Sequence, residues 1–171
     1  NADTLATSYS ILSAADTQDK FDMIFCGKES LDGATGQMGA QLAQRFGTAQ
    51  VTGALLIKEV NEEAKTAVVE RELEDGVEVL EVELPCLFTM EKTNYPARIP
   101  NLKGKLAAKK AVITTITADD IPELDRGRIG DPGSPTKVPR MFPPVMPEPG
   151  IIIDEGSVEA SVKKLMQLIK D

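Results

Sequence analysis

The 171-residue chain carries 19 Lys and Arg against 27 Asp and Glu and has no His, so its formal net charge of −8 barely changes around neutral pH. At this length roughly 70% of the unfolded chain's surface can be buried, enough for one real core. Ordinary shares of apolar (42%) and charged (27%) residues exclude disordered, collagen-like and coiled-coil classes. No apolar run approaches the roughly 20 residues of a membrane span and no charged-then-apolar leader starts at Asn1; with a sequence pI near 4.7, nucleic acid and anionic membrane are poor partners. A soluble, cytoplasmic protein is expected.

Leu5, Tyr9 and Leu12 recur at helical spacing directly after Asp3 and Thr4, either of which can cap the helix. The tight apolar run Phe21 to Cys26 reads as a strand buried on both faces. It ends at Gly27, and the following twelve residues, KESLDGATGQMG, hold Gly33, Gly36 and Gly39. Met38, Leu42 and Phe46 then mark one face of a helix that stops at Gly47. From Val51 to Lys92 the period is that of strands: Val51 to Val60, Thr66 to Leu73, and Val77 to Leu84, with an Asp75-Gly76 hairpin turn between the last two. The apolar phase changes between Val79 and Leu80, which suggests a bulge or a crossing between environments. Pro85 separates this strand from the run Cys86 to Met90.

Thr93 to Gly104 reads as an exposed loop with Pro96 and Pro100, followed by a short helix, Lys105 to Lys110, and a strand, Ala111 to Ile116. Lys103, Lys105, Lys109 and Lys110 form a basic cluster, either a solvated helix face or a docking patch. Seven prolines between residues 132 and 149 predict an extended arm that must lie along another surface if it is ordered. A last helix starts after Ser157, with Val158, Val162, Leu165 and Ile169 on one face. The domain reading is 1–130 for a nucleotide-binding unit with an antiparallel insertion at about 51–92, and 131–171 for an arm and helix that pack on a partner.

Without His the commonest general base is missing. Cys26 and Cys86 stand alone, so neither a disulfide framework nor a structural metal is expected. No paired carboxylates, no activated nucleophile and no acid cluster with metal spacing stand out, and neither a catalytic nor a metal residue is assigned. The informative stretch is Gly27 to Gly39. A strand that delivers a Gly-rich loop into a helix N-terminus gathers free N–H groups and the positive end of the helix dipole where a phosphate can sit. Thr35 supplies a hydroxyl, Gln37 both donates and accepts, and Asp32 is an acceptor for ribose hydroxyls or an adenine amino group. The loop is neither GxGxxG nor a Walker loop, so an ordinary Gly-rich turn is the alternative. On chemistry alone this is a nucleotide-binding or interaction subunit.

FDMIFCGKESLDGATGQMGAQLAQRFG resembles the segment of electron transfer flavoprotein β subunits written as a strand, then GKQ or GRQ, then DGDTxQVGPQxAExLG. ALLIKEVNEEAKTAVVERELEDGVEVLEVELPCLFTMEK resembles the antiparallel insertion of that family. NLKGKLAAKK resembles its SLxGIMxAKKK stretch, GSPTKVPRMFPP its GSPTxVxxxFxP arm, and ADTLATSYS its ADTxATS segment. The resemblance covers the later two thirds or so of such subunits.

The resemblance implies an α/β, Rossmann-like adenine-nucleotide fold with an antiparallel β insertion and an extended Pro-rich C-terminal arm. It implies a heterodimer with an FAD-bearing α subunit that carries electrons to or from acyl-CoA dehydrogenase-type flavoenzymes. Such a protein is an electron-carrier subunit and not a self-sufficient enzyme. The β subunit holds AMP, or in bifurcating members a second FAD that takes a hydride from NADH; ADTLATS favours the second type. The implied nucleotide contacts are Asp3, Thr4, Thr7, Cys26, Gly27, Lys28, Asp32, Gly33, Thr35, Gln37 and Met38, with Ala34 replacing the usual Asp and Glu29 the usual Gln. Lys92 to Leu102 corresponds to the loop that docks the partner dehydrogenase, and KTNYPARIPNL departs there from the common NEPRYPSL. The competing reading is a stand-alone adenine-nucleotide-binding regulatory domain with no redox role.

Overall fold

The computed structural model describes residues 2–92, 95–147 and 149–170, and two compact units divide between Lys137 and Val138. In the first unit, helix α1 (Thr4–Ala15) precedes strand β1 (Met23–Gly27) and helix α2 (Met38–Phe46). Strands β2 (Ala49–Asn61), β3 (Thr66–Leu73), β4 (Gly76–Glu83) and β5 (Cys86–Met90) follow, and then the short helix α3 (Leu102–Lys110). The five strands form one sheet in the order β1-β5-β2-β3-β4. β1, β5 and β2 run parallel, with Phe25 opposite Phe88 and Phe88 opposite Val51, while β2, β3 and β4 are antiparallel. The result is a mixed α/β sheet whose parallel half is extended by an antiparallel half.

Alternation along β1 and β5 sends residues to opposite faces. Ile24, Cys26 and Leu87 pack with Leu42, Ala43, Met38 and Phe46 of α2. On the other face Val51, Ala54, Ala67, Val69, Cys86 and Phe88 make the main core, flanked by Met23, Leu80 and Val82. α2 ends at Gly47, left-handed at φ 65°, as a C-terminal glycine should be.

α2 rests unusually close to the sheet at Gly39. A Cβ added there would overlap Thr89 Cγ2 of β5 and lie 3.5 Å from Leu87 Cδ2. The same threonine uses its hydroxyl to accept from Gly53 N at 3.2 Å. Gly53 (φ 69°) lies in the irregular stretch of β2 where register shifts separate Val51 from Ala54.

Several elements differ from the sequence expectation. β1 lies at an edge of the sheet and only its Ile24 and Cys26 face is covered by α2; on the other face Phe25 stacks on Phe88 at 5.5 Å and is still 55% exposed. The bulges lie in β2, whereas β3 and β4 pair in unbroken register. The phase change in β4 is instead an exchange of faces, with Leu80 and Val82 half-buried and Val77 and Val79 exposed. The hairpin loop is Glu74-Asp75, one residue earlier than expected, because Gly76 already pairs with Leu73. The expected strand Ala111 to Ile116 is irregular. Its Val112 and Ile113 are 93% and 87% exposed, with no neighbouring strand among the described residues to pair with.

After α3 the chain makes two single turns of 3-10 helix, Ala118–Asp120 and Arg126–Arg128, and returns to α1. Asp3 holds it there. One carboxylate oxygen caps α1 by accepting from Ala6 N at 3.0 Å, the other accepts from Thr136 N at 3.0 Å, and Asp3 N donates to the buried Ser134 Oγ at 2.8 Å. Tyr9 adds a second tie, its hydroxyl accepting from Asp125 N while the Arg128 guanidinium lies 4.1 Å from its ring centre.

The second unit has no helix or strand over 138–147 and 149–157, and then forms helix α4 (Val158–Lys170). Ser157 caps it by accepting from Ala160 N. The stripe of Val158, Val162, Leu165 and Ile169 is exposed.

Two predictions follow from these contacts. Gly39→Ala should lower stability by about 1–3 kcal/mol through overpacking. Adding Thr89→Ser, which deletes Cγ2 and keeps the hydroxyl for Gly53 N, should recover much of that loss in urea unfolding. The hydrogen bonds from Ala6 and Thr136 hold the Asp3 carboxyl below its ordinary value of 3.8. Its contribution is therefore present above that value and lost as pH falls through the lower folded value. The protection of the Ala6 and Thr136 amides against hydrogen exchange, taken relative to the intrinsic rate at each pH, should fall only in that acid range, and Asp3→Ala should remove their protection at neutral pH.

Candidate functional site

The loop between β1 and α2 is built on Ser30. Its hydroxyl accepts from Gly33 N at 3.3 Å and its carbonyl from Ala34 N at 3.0 Å, closing a turn that carries Asp32 and Gly33 at an exposed apex. Ala34 (φ 45°) and Gly36 (φ 60°) are both left-handed. Glycine adopts this freely, whereas alanine gives up about 1 kcal/mol there; an Asp at position 34 would tolerate it better. Thr35 Oγ1 accepts from Gln37 N at 3.4 Å.

α2 begins without a side-chain cap, since Gln37 at the cap position makes no such bond. The first-turn N–H groups therefore have no intrahelical acceptor, and they point out of the C-terminal end of the parallel strands together with the positive end of the helix dipole. Gly39, pressed onto Thr89, sets how far that end can descend toward the sheet. This half-cradle suits the negative oxygens of a phosphate group.

The residues expected to touch a nucleotide are distributed as follows. Gly27 ends β1 and Cys26 sits half-buried beside it, its thiol held in the neutral form because burial pushes its pKa up. Burial pushes the fully buried Cys86 thiol further, to about 11. Asp32, Gly33 and Thr35 lie on the exposed loop, and Met38 opens α2 over the Leu42 cluster. Thr4 joins them directly, its hydroxyl donating to Gln37 Oε1 at 3.3 Å. Thr7 is half-buried one turn further along α1, with its amide bonded to the Asp3 carbonyl at 2.9 Å. Asp3 itself spends both carboxylate oxygens on protein amides, a structural role that the motif alone did not imply.

Lys28 projects from the start of the loop to Glu91, at 2.6 Å, just after β5. The hydrogen bond and charge of Glu91 raise the Lys28 pKa, and the two form a charge-balanced pair at the rim. Glu91, Ser30, Ser8, Gln41 and Arg45 were not singled out by sequence. Ser30 had a faint signal as a turn-forming serine, while the others are recruited through contacts between separate elements.

Lys92 to Leu102 includes Thr93 and Asn94, which lie outside the described residues; Ile99 and Leu102 on its far side are exposed. The lysines of α3 all face solvent, and so do its Leu102 and Leu106. Among the described residues no cluster of Cys, Asp and Glu is placed to hold a metal ion, and no helix is long and apolar enough to cross a membrane.

Comparison with known proteins bears on what this arrangement is for. Residues 1–121 match the model of the electron transfer flavoprotein domain. The chain is 38% identical over 167 residues to the electron transfer flavoprotein subunit beta of Thermoanaerobacterium thermosaccharolyticum, covering 97% of this chain and 62% of that protein. It is 35% identical over 170 residues to the caffeyl-CoA reductase-Etf complex subunit CarD of Acetobacterium woodii, covering 99% of this chain and 63% of the relative. It is 36% identical over 177 residues to the acryloyl-CoA reductase electron transfer subunit gamma of Anaerotignum propionicum, covering 97% and 64%. The chain thus spans less than two thirds of the length of these relatives. The match to the family model takes in α1, the Gly-rich loop, α2 and the whole sheet, and the chain belongs to the electron transfer flavoprotein family.

Proposed function

We propose that the complete protein is the β subunit of an electron transfer flavoprotein, with a Rossmann-like fold that holds an adenine nucleotide at the loop from Gly27 to Met38. The carrying observation is the uncapped start of α2 beside Thr4 and Gln37, at the C-terminal end of the parallel strands. Backbone amides of the first turn would receive the phosphate, Thr35 and Gln37 would complete its polar contacts, and Asp32 would accept from the ribose or base. Lys28 stands at the rim in an ion pair with Glu91, from which its ammonium could also donate to a phosphate oxygen. The residues present suit such a group: an uncapped helix start, a loop with two left-handed residues, and a neutral thiol behind it.

If the nucleotide is FAD it supplies electron transfer, taking hydride from NADH in a bifurcating carrier; if it is AMP it supplies structure only. The names of the caffeyl-CoA and acryloyl-CoA reductase relatives support a carrier that serves acyl-CoA-type flavoenzymes, and the ADTLATS segment favours the FAD reading. The α subunit would bring its own FAD, and the docking loop at Lys92–Leu102 would meet the partner flavoenzyme. The exposed apolar stripe of α4 and the Pro-rich segment before it give the second unit a surface suited to clasping the α subunit. The stand-alone regulatory reading gives no purpose to that stripe.

Asp32→Ala combined with Thr35→Ala should lower the nucleotide retained per chain in the purified heterodimer; retention at wild-type stoichiometry would move the site elsewhere. Removal of residues 138–171, which spares the Asp3 clasp, should abolish co-purification with the α subunit. Full-yield co-purification would remove the clasping role.

A further inference from the structure

A line of polar side chains crosses the seam between α1 and α2. Arg45 Nε donates to Ser8 Oγ at 2.9 Å, Ser8 Oγ to Gln41 Oε1 at 3.0 Å, Gln41 Nε2 to Thr4 Oγ1 at 3.1 Å, and Thr4 Oγ1 to Gln37 Oε1 at 3.3 Å. Ser8 is fully buried. The line starts in the last turn of α2 and ends at its cap position, about 12 Å away at the helical rise of 1.5 Å per residue.

Its direction is dictated by chemistry. A guanidinium has only donors, so Ser8 must accept from Arg45. The single Ser8 proton has two acceptors in reach, Gln41 Oε1 and Leu5 O, each at 3.0 Å. Leu5 O already receives Arg45 Nη2 at 3.2 Å as well as the α-helical amide four residues on, which fills its two lone pairs. The Ser8 proton therefore goes to Gln41 Oε1, the Gln41 amide group turns its Nε2 to Thr4, and the Thr4 proton goes to Gln37 Oε1. Every donor in the line points the same way from a permanent cation, an arrangement that polarises each bond in turn. The consequence falls on Gln37. Its oxygen is taken, and its exposed Nε2 has no acceptor among the described residues.

We propose that Arg45 is a positioning residue for anion recognition: acting through Ser8, Gln41 and Thr4, it fixes the Gln37 amide with Nε2 outward as a donor to a phosphate oxygen at the start of α2. This inference rests on the nucleotide reading of the loop. It makes Thr4 a relay, not a direct donor to the ligand, and gives Arg45 a role although it lies two turns from the phosphate position.

The test uses the complete protein with its α partner, stripped of nucleotide and titrated with AMP. Arg45→Met should weaken AMP binding roughly five-fold, the effect of losing one hydrogen bond of ordinary strength. Arg45→Lys, also a pure donor, should restore most of the affinity. In a Gln37→Ala background Arg45→Met should change nothing further, because the line would have no end to orient. The same loss in both backgrounds, or none in either, would overturn the proposal and leave Arg45 as helix packing. Ser8→Ala, which cuts the line but keeps the cation, should repeat the pattern if Arg45→Met does not fold. Failure of the wild-type complex to bind either AMP or FAD would sink the nucleotide reading itself, and this inference with it.

Discussion

The contact between Gly39 and Thr89 decides where everything else at the site can be. Helix α2 descends onto the parallel strands only because position 39 has no side chain to meet Thr89 Cγ2. Thr89 in turn anchors the irregular turn of β2 through Gly53 N. One residue pair thus sets the height of the α2 start above the sheet and the point where β2 leaves its parallel pairing for the antiparallel extension. A first-turn side chain at 39 would lift the amides and the loop together, so packing sets the geometry of the candidate site.

α1 is then tied to α2 by a run of polar contacts. Ser8, Gln41, Arg45, Thr4 and Gln37 make the seam, and Asp3 and Tyr9 tie α1 to residues 125–136. Hydrogen bonds demand a particular register, whereas apolar packing tolerates several, so this seam specifies position more than it adds stability. Asp3 shows the economy of the arrangement: one carboxylate is both the helix cap and the clasp on the returning chain.

Local order was legible in the sequence where it has a local cause. Leu5, Tyr9 and Leu12 announced α1, Gly47 the end of α2, and the runs from Thr66 and Val77 the antiparallel pair, since period, cap and turn residues act within a few positions. The apolar run of β1 was equally plain, but the same pattern serves a strand covered on both faces and one covered on a single face, and only the packing of α2 on the Ile24 and Cys26 side decides between them. Ala111 to Ile116 is β-branched enough for a strand and yet forms none, for pairing needs a neighbour that propensity cannot supply. Most of the loop could be marked as a candidate site from its glycines, Thr35 and Gln37. The groups that hold it could not, because Glu91 meets Lys28 and Arg45 meets Ser8 across 63 and 37 positions respectively, with no periodicity to announce either contact.

The central claim is that an adenine nucleotide sits at the start of α2. Its most direct test is nucleotide extraction from the complete protein purified with its α subunit, with FAD and AMP quantified per heterodimer. The account predicts one nucleotide beyond the FAD of the α subunit: a second FAD for the bifurcating carrier favoured here, or AMP for a single-flavin carrier. A heterodimer that carries the α-subunit FAD and no second nucleotide would contradict it.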